Sequence, residues 1–163
     1  QIKARMEAYP DHKYALALLD LDHFKSANDT YGHAFGDQVL TYLSDRLRQS
    51  VRSGDIAARI GGDEVLLFPE YSQRIYNSIN RRQYREFPIS ISMGVSKSEE
   101  TGTDYTALFN AADHALYAVK RAGRGECRFY NSRMEKVLSV ITPIDGEEKV
   151  PAGLAGGEGG SRK

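Results

Sequence analysis

The stretch IAARIGGDEVLLF, residues 56–68, decides the predicted fold. Two mostly apolar runs flank the glycine pair Gly61-Gly62, and this arrangement predicts a β-hairpin with the glycines at its turn. Glycine also lets a ligand approach the backbone closely. Because Asp63 and Glu64 follow at once, two carboxylates stand at the same turn, where paired acids can hold a divalent cation beside a phosphate.

A second acidic turn, Asp20-Leu21-Asp22, follows the nearly unbroken apolar run of residues 14–19. Such a run is typical of a central strand that is buried on both faces. Two acidic strand ends on one sheet indicate a metal-dependent phosphoryl-transfer site.

The rest of the chain alternates between helical and extended patterns. The predicted elements are strands over 14–19, 56–60, 64–68, 89–95 and 128–130 and helices over 37–51, 72–83 and 104–121. The 89–95 strand alternates with serine and glycine, which predicts that one of its faces is exposed. This order predicts an α+β fold of ferredoxin-like or palm type. We expect a sandwich with a mostly antiparallel central sheet and two or three helices packed on one face.

Composition narrows the function classes. The chain has 163 residues, and its 22 Lys and Arg balance 22 Asp and Glu, so binding to a nucleic acid polymer is not expected. Cys127 is the single cysteine, which excludes an internal disulfide and fits a cytoplasmic setting. The sequence contains neither an apolar run of about 18 residues nor a signal peptide. Because it starts at Gln1, we expect a piece of a longer protein, whose upstream part can carry a sensor or a membrane anchor.

Three blocks of residues carry a family resemblance. Residues 20–33, DLDHFKSANDTYGH, resemble the D-x-D-x-F-K-x-x-N-D-x-x-G-H segment of GGDEF domains, the diguanylate cyclases. Residues 59–65, RIGGDEV, resemble the signature turn, and residues 112–124 resemble the last helix of the family. The resemblance spans roughly residues 14–130 with its spacing kept. It implies a truncated N-terminal helix over 1–13, a GGDEF catalytic domain over 14–131 and a C-terminal extension over 132–163. From about residue 146 glycine, alanine and charged residues replace the apolar periodicity, which predicts disorder there.

The chain departs from the family pattern in three places. Val65 stands where the signature has Phe, and we expect it to point into the core, so that a packing group shrinks while no ligand is lost. A family turn that precedes the first strand is absent, and the stretch between Pro69 and Pro88 is short.

The resemblance implies that two GTP molecules condense to cyclic di-GMP, with release of pyrophosphate, across a homodimer of domains. It also implies two Mg²⁺ or Mn²⁺ ions per active site. Their ligands are the carboxylates of Asp20, Asp63 and Glu64 and the backbone carbonyl of Leu21, all hard oxygen donors. Asp63 is further implied as the proton acceptor, and Lys25 as the group that stabilises charge on the transferring phosphate.

The substrate contacts follow from the same resemblance. Asn28 and Asp37 match the guanine-binding pair, since a carboxylate can accept the N1 and N2 donors of guanine together, whereas adenine presents an acceptor at N1. The residues expected at the phosphates are His23 and Phe24 through their amides, Gly62 in the turn, and Lys120 and Arg124, which are expected on one face of a helix end.

Arg52-Ser53-Gly54-Asp55 resembles the inhibitory R-x-x-D site at which the family binds its own product. A guanidinium can clamp guanine or phosphate, and a carboxylate can accept from guanine. Five residues separate this motif from Gly61, an offset that matches the family.

Other interpretations remain open at this level. Asp20 and Asp22 can form turns, Asp37 can cap its helix, Lys120 and Arg124 can complement a helix dipole, and residues 52–55 can be a surface turn. The domain can also be a sensor of GTP or cyclic di-GMP that lacks turnover, as Val65 and the short 69–88 stretch suggest. A different palm-like nucleotidyl transferase shares the two-acid sheet, but the base-reading pair and the offset of residues 52–55 argue against it.

Overall fold

The computed structural model describes residues 1–69 and 72–134. Its helices are α1 (Ile2–Ala8), α2 (Phe24–Tyr31), α3 (His33–Ser50), α4 (Ser72–Ile79), α5 (Ser98–Thr101) and α6 (Tyr105–Arg121). Its strands are β1 (Ala15–Leu21), β2 (Ile56–Gly61), β3 (Glu64–Phe68), β4 (Arg82–Tyr84), β5 (Phe87–Ile89), β6 (Ile91–Lys97) and β7 (Cys127–Phe129). The disorder predicted from about residue 146 lies outside the described residues.

The main sheet has five strands in the order β2-β3-β1-β6-β7. All neighbours are antiparallel except β6 and β7, which run parallel. The α+β fold with a mostly antiparallel central sheet is therefore confirmed, and so is the hairpin around the glycine pair. A second sheet consists only of the short hairpin β4-β5.

Strand β1 is buried on both faces, as its apolar run predicts. Because successive side chains point to opposite faces, Leu16 and Leu18 enter one core and Ala17, Leu19 and Leu21 enter the other. The first core also contains residues of α1 and α6, and the second contains residues of α2, α3 and α4. The prediction of helices on one face is therefore wrong in that α6 covers the face opposite to α3 and α4.

The predicted exposure of one face of β6 is also wrong. Ser92, Gly94 and Ser96 form the face that α6 covers, and both serines are fully buried. A Cβ atom on Gly94 would lie 2.2 Å from the Ala112 carbonyl oxygen and 2.2 Å from the Leu116 nitrogen. Small residues on this face therefore permit a close approach of the helix backbone rather than contact with solvent.

Several elements were missed or misplaced by the sequence patterns. Helix α2 buries only Ala27, so its apolar periodicity is weak, and α3 begins four residues before the predicted start at Asp37. The β4-β5 hairpin turns at Arg85 and Glu86, which lack the usual glycine or asparagine signal. Helix α4 ends at Ile79 instead of residue 83.

Val65 is 8% exposed and packs in the core with α3 and α4, which confirms the predicted direction of its side chain. None of the helices within the described ranges is long and apolar enough to cross a bilayer.

Candidate active site

The two acidic turns meet on neighbouring strands. Asp20 of β1 lies directly opposite Glu64 of β3 in the antiparallel register. Asp63 precedes Glu64 in the two-residue turn, where the Arg59 Nε donates to the Gly62 carbonyl oxygen at 2.7 Å. The structure therefore brings the predicted carboxylates Asp20, Asp63 and Glu64 to one corner of the sheet.

The electrostatics of Asp20 reflect this convergence. Burial raises the pKa of Asp20 above its usual value, and the nearby charges of Asp63 and Glu64 raise it further. In the opposite direction, the hydrogen bond from Lys120 and its positive charge lower the pKa of Asp20. The Lys120 Nζ lies 2.8 Å from the Asp20 Oδ2, so an ammonium group already neutralises part of the acidic corner.

The donor set fits a hard divalent cation. Asp20, near the C-terminal end of β1, is close enough to Asp63 and Glu64 for their charges to raise its pKa, and neighbouring like charges favour a bound cation or a proton. Within residues 1–69 and 72–134, no three His, Cys, Asp or Glu side chains already stand in a metal-binding arrangement. The fit to a divalent cation therefore rests on the chemistry of these carboxylate oxygens and on the strand register that places Asp20 opposite Glu64.

Helix α2 begins immediately after the first acidic turn. His23 occupies the N-cap position with φ 61°, so the chain reverses sharply from β1 into the helix that starts at Phe24. The first N–H groups of an α-helix lack intrahelical partners and attract anions. The predicted phosphate contacts at His23 and Phe24, together with the exposed Lys25, thus share this helix start.

The two predicted guanine-binding residues lie on adjacent helices. Asn28 lies on α2 and Asp37 on α3. Gly36, the residue before Asp37, lies against Asn28, since a Cβ atom there would lie 1.9 Å from the Asn28 Oδ1. The N-cap of α3 is Gly32, so the alternative in which Asp37 caps the helix is wrong.

The absence of a side chain at Gly36 yields a prediction. In Gly36→Ala the new methyl group displaces the Asn28 amide, so GTP affinity should fall about tenfold, the typical cost of an unpaired polar group. Calorimetric titration with GTP measures the change. Ser44→Ala on the same helix is the control, and unchanged affinity in a folded Gly36→Ala protein would contradict the role of Asn28.

The geometry expected of Lys120 and Arg124 is wrong in one respect. Helix α6 ends at Arg121, so Arg124 does not continue the helical face of Lys120. Arg124 lies in a left-handed segment, with φ 66° between Gly123 and Gly125. Its side chain is exposed, whereas Lys120 is half-buried against Asp20.

Asp22, which the sequence places in the second acidic turn without a ligand role of its own, is 2% exposed. Its carboxylate accepts hydrogen bonds from Ser90, Ser92 and the Gly125 backbone N–H. The sequence carried one signal for this arrangement: residues 20 and 22 fall on the same face of an extended chain, so both acids point toward the end of α6.

The R-x-x-D motif, residues 52–55, forms a turn that two hydrogen bonds close. It is separated in sequence from the residues of the acidic corner. The Arg52 N–H donates to the Asp55 Oδ2 at 2.8 Å, and the Asp55 N–H donates to the Arg52 carbonyl at 3.0 Å. Beside the turn lies a cavity of about 340 Å³, lined among others by Arg5, His12 and Lys13. Cationic side chains and a carboxylate thus share one opening.

Comparisons with known proteins show the family of this chain. A family model described as "Diguanylate cyclase, GGDEF domain" matches residues 1–126. The diguanylate cyclase DgcS of Shewanella oneidensis is 38% identical over 119 residues, which are 68% of this chain and 40% of that protein. The chain thus spans 40% or less of the length of the first curated relatives that it matches.

Solved structures show the same fold. The GGDEF domain of TpbB (YfiN) from Pseudomonas aeruginosa is 29% identical with a TM-score of 0.72, covering 85% of this chain and 87% of that one. The GGDEF domain of DgcB from Caulobacter crescentus, in complex with c-di-GMP, is 28% identical with a TM-score of 0.63, covering 78% and 83%. The chain belongs to the GGDEF domain family of diguanylate cyclases.

Proposed function

We propose that this domain is an active diguanylate cyclase that condenses two GTP molecules into cyclic di-GMP and releases pyrophosphate. The observation that carries the proposal is the pairing of Asp20 with Glu64 across β1 and β3, with Asp63 beside them. The relative DgcS, which bears the name diguanylate cyclase, supports it.

The reaction joins the ribose 3′-oxygen of one GTP to the α-phosphorus of another. The new P–O bond forms as the bond to the β-phosphate oxygen breaks, pyrophosphate leaves, and Asp63 receives the hydroxyl proton. Bound Mg²⁺ or Mn²⁺, two per site, supplies acidification of the hydroxyl and neutralisation of phosphate charge, with Asp20, the Leu21 carbonyl, Asp63 and Glu64 as ligands.

The other site residues bind and orient GTP. Asn28 and Asp37 accept the guanine N1 and N2 hydrogens, which disfavours adenine because its N1 is an acceptor. The phosphate contacts are Lys25, the amides of His23 and Phe24, Gly62, Lys120 and Arg124. Since one domain holds one GTP, two domains must face each other around a twofold axis, and catalysis requires a homodimer.

Incubation of the domain with GTP and Mg²⁺, followed by chromatography, tests the proposal. We expect cyclic di-GMP from GTP at high domain concentration and no dinucleotide from an equal amount of ATP. GTP binding without any product would contradict the proposal and favour the alternative, a sensor of GTP or cyclic di-GMP.

Product inhibition is part of the proposal. The turn of Arg52 and Asp55 borders a cavity with further cationic side chains, and the DgcB domain was solved with c-di-GMP. Arg52→Ala should therefore raise the product concentration needed for half-inhibition about tenfold or more, since a charge-assisted contact is lost.

The measurement is the initial rate at increasing added cyclic di-GMP. The control is Arg48→Ala, which removes an exposed arginine paired with Asp45 on α3. Equal inhibition of the Arg52→Ala protein and the parent by cyclic di-GMP would contradict the regulatory role of residues 52–55.

The reaction places the domain in the cytoplasm, where GTP is available. An upstream sensor or regulatory domain, attached to a membrane or not, would control the pairing of two copies. These partners follow from the need for two facing domains and from the greater length of the curated relatives.

A further inference from the structure

The chain leaves α6 through an unusual backbone. Gly123, Arg124 and Gly125 have φ values of 116°, 66° and 67°, so three successive residues lie in the left-handed region. Glycine adopts this region freely, whereas the Cβ of arginine disfavours it. A non-glycine residue keeps such a conformation only where its surroundings fix it, and such fixed positions concentrate at functional sites.

The peptide groups of Gly125 show what fixes this segment. The Gly125 N–H donates to the Asp22 Oδ2 at 3.0 Å and to the Ser92 Oγ at 3.3 Å. The Gly125 carbonyl oxygen accepts from the Tyr76 hydroxyl and from the Asn80 Nδ2. Both backbone polar groups of Gly125 are therefore held. Its N–H is bound next to the end of β1 and the start of β6, and its carbonyl oxygen is bound by α4 and by the residue that follows α4.

Asp22 is itself held firmly. It is 2% exposed, and the hydroxyls of Ser90 and Ser92 each donate to it at 2.6 Å, one to each carboxylate oxygen. A buried carboxylate is tolerated where hydrogen bonds satisfy it, and here three donors do so. Few other orientations of this side chain would keep all three bonds, so Asp22 offers a fixed acceptor to the Gly125 N–H.

The position of Asp22 links this acceptor to the acidic corner. Asp20 and Asp22 lie two residues apart at the end of β1, and Asp20 binds Lys120 near the end of α6. The ion pair with Asp20 thus holds the last turn of α6, and the hydrogen bond to Asp22 holds the segment that follows it. These two interactions fix Lys120 and Arg124 relative to the C-terminal end of β1.

We propose that Asp22 is a positioning residue, which acts through Gly125, with Tyr76 on the opposite side, to hold Arg124 where its guanidinium grips the GTP triphosphate. The inference rests on the proposed function, since it takes Arg124 as a triphosphate contact. The inference assigns to Asp22 a role separate from cation binding, although Asp22 lies two residues from Asp20.

The test measures the affinity of the domain for α,β-methylene GTP with Mg²⁺ by calorimetry, because this analogue blocks transfer at the α-phosphate. Arg124→Ala should weaken binding about tenfold or more. Asp22→Ala should weaken it by a similar factor, and Tyr76→Phe by about threefold or more. Tyr84→Phe, which removes a hydroxyl bonded to Gln38, is the matched control and should bind as the parent does.

The double variants separate positioning from general loss of structure. If Asp22 and Tyr76 act through Arg124, adding either substitution to Arg124→Ala should cause no further loss of affinity. If Asp22→Ala does not fold, as judged by thermal unfolding, the affinity of Tyr76→Phe for the analogue decides whether the inference holds. Unchanged affinity of folded Tyr76→Phe, or additive losses in the double variants, would overturn the inference alone. A parent protein that fails to bind the analogue would overturn the proposed function and this inference with it.

Discussion

Replacement of both Asp63 and Glu64 by alanine is expected to reduce cyclic di-GMP formation by at least about a hundredfold. The double variant loses the proposed proton acceptor, whose removal alone typically costs about 10²–10⁴-fold. It also loses two of the three carboxylates at the corner, those beside Asp20, so the proposed cation site is left with one carboxylate ligand. The measurement is chromatographic detection of product from GTP and Mg²⁺.

The fold should survive this change. Asp63 and Glu64 both raise the pKa of Asp20, so their removal relieves repulsion between like charges and should lower that pKa. The control is a double replacement of Glu99 and Glu100, an adjacent exposed acid pair on α5 that removes the same charge. Equal product from the Asp63 and Glu64 variant and from this control would disprove the assigned site.

Gly94→Ala is expected to lower the free energy of unfolding by about 3 kcal/mol or more, at the upper end for overpacking of a core. The added methyl group would lie 2.2 Å from backbone atoms of both Ala112 and Leu116. Backbone atoms of a helix cannot turn aside as a flexible side chain can, so α6 as a whole must move away from β6.

Activity should fall with stability in this variant, because α6 carries Lys120 and leads into the segment of Arg124. Urea unfolding measures the stability change. Gly54→Ala is the matched control, since a Cβ there meets only the Arg5 Nη2 at 3.8 Å. A Gly94→Ala protein as stable as Gly54→Ala would mean that α6 does not pack on β6 as closely as described.

The hairpin illustrates what could be predicted from the sequence. Its two strands and their glycine turn are specified by residues that are neighbours in the chain, and the structure confirms β2 and β3. The same holds for the apolar stripe of α6, where Asp104 caps the helix by accepting from the Ala107 N–H at 2.8 Å. The acidic corner could also be predicted, since Asp20 directly follows one predicted strand, and Asp63 and Glu64 lie at the start of another.

Other features depended on partners distant in the chain. The serine and glycine face of β6 is compatible with solvent or with a closely packed helix, and only the position of α6 distinguishes the two. The hydrogen bond from the Gly125 N–H to Asp22 joins residues that are 103 positions apart. The left-handed φ of Arg124 carries no mark in its residue type, so the four-residue spacing of Lys120 and Arg124 predicted one face of a helix end instead.

The sequence by itself determined the five strands of the main sheet, the long helices α3 and α6, the family and the set of carboxylates, because local periodicity and motif spacing are written in adjacent residues. The tertiary structure alone decided that α6 lies on the opposite face from α3 and α4, that Lys120 pairs with Asp20, and that Asp22 holds the segment after α6. The physical reason is that burial and hydrogen-bond partners are set by which elements pack together. Many packings satisfy the same local pattern, and close contact between backbones selects among them.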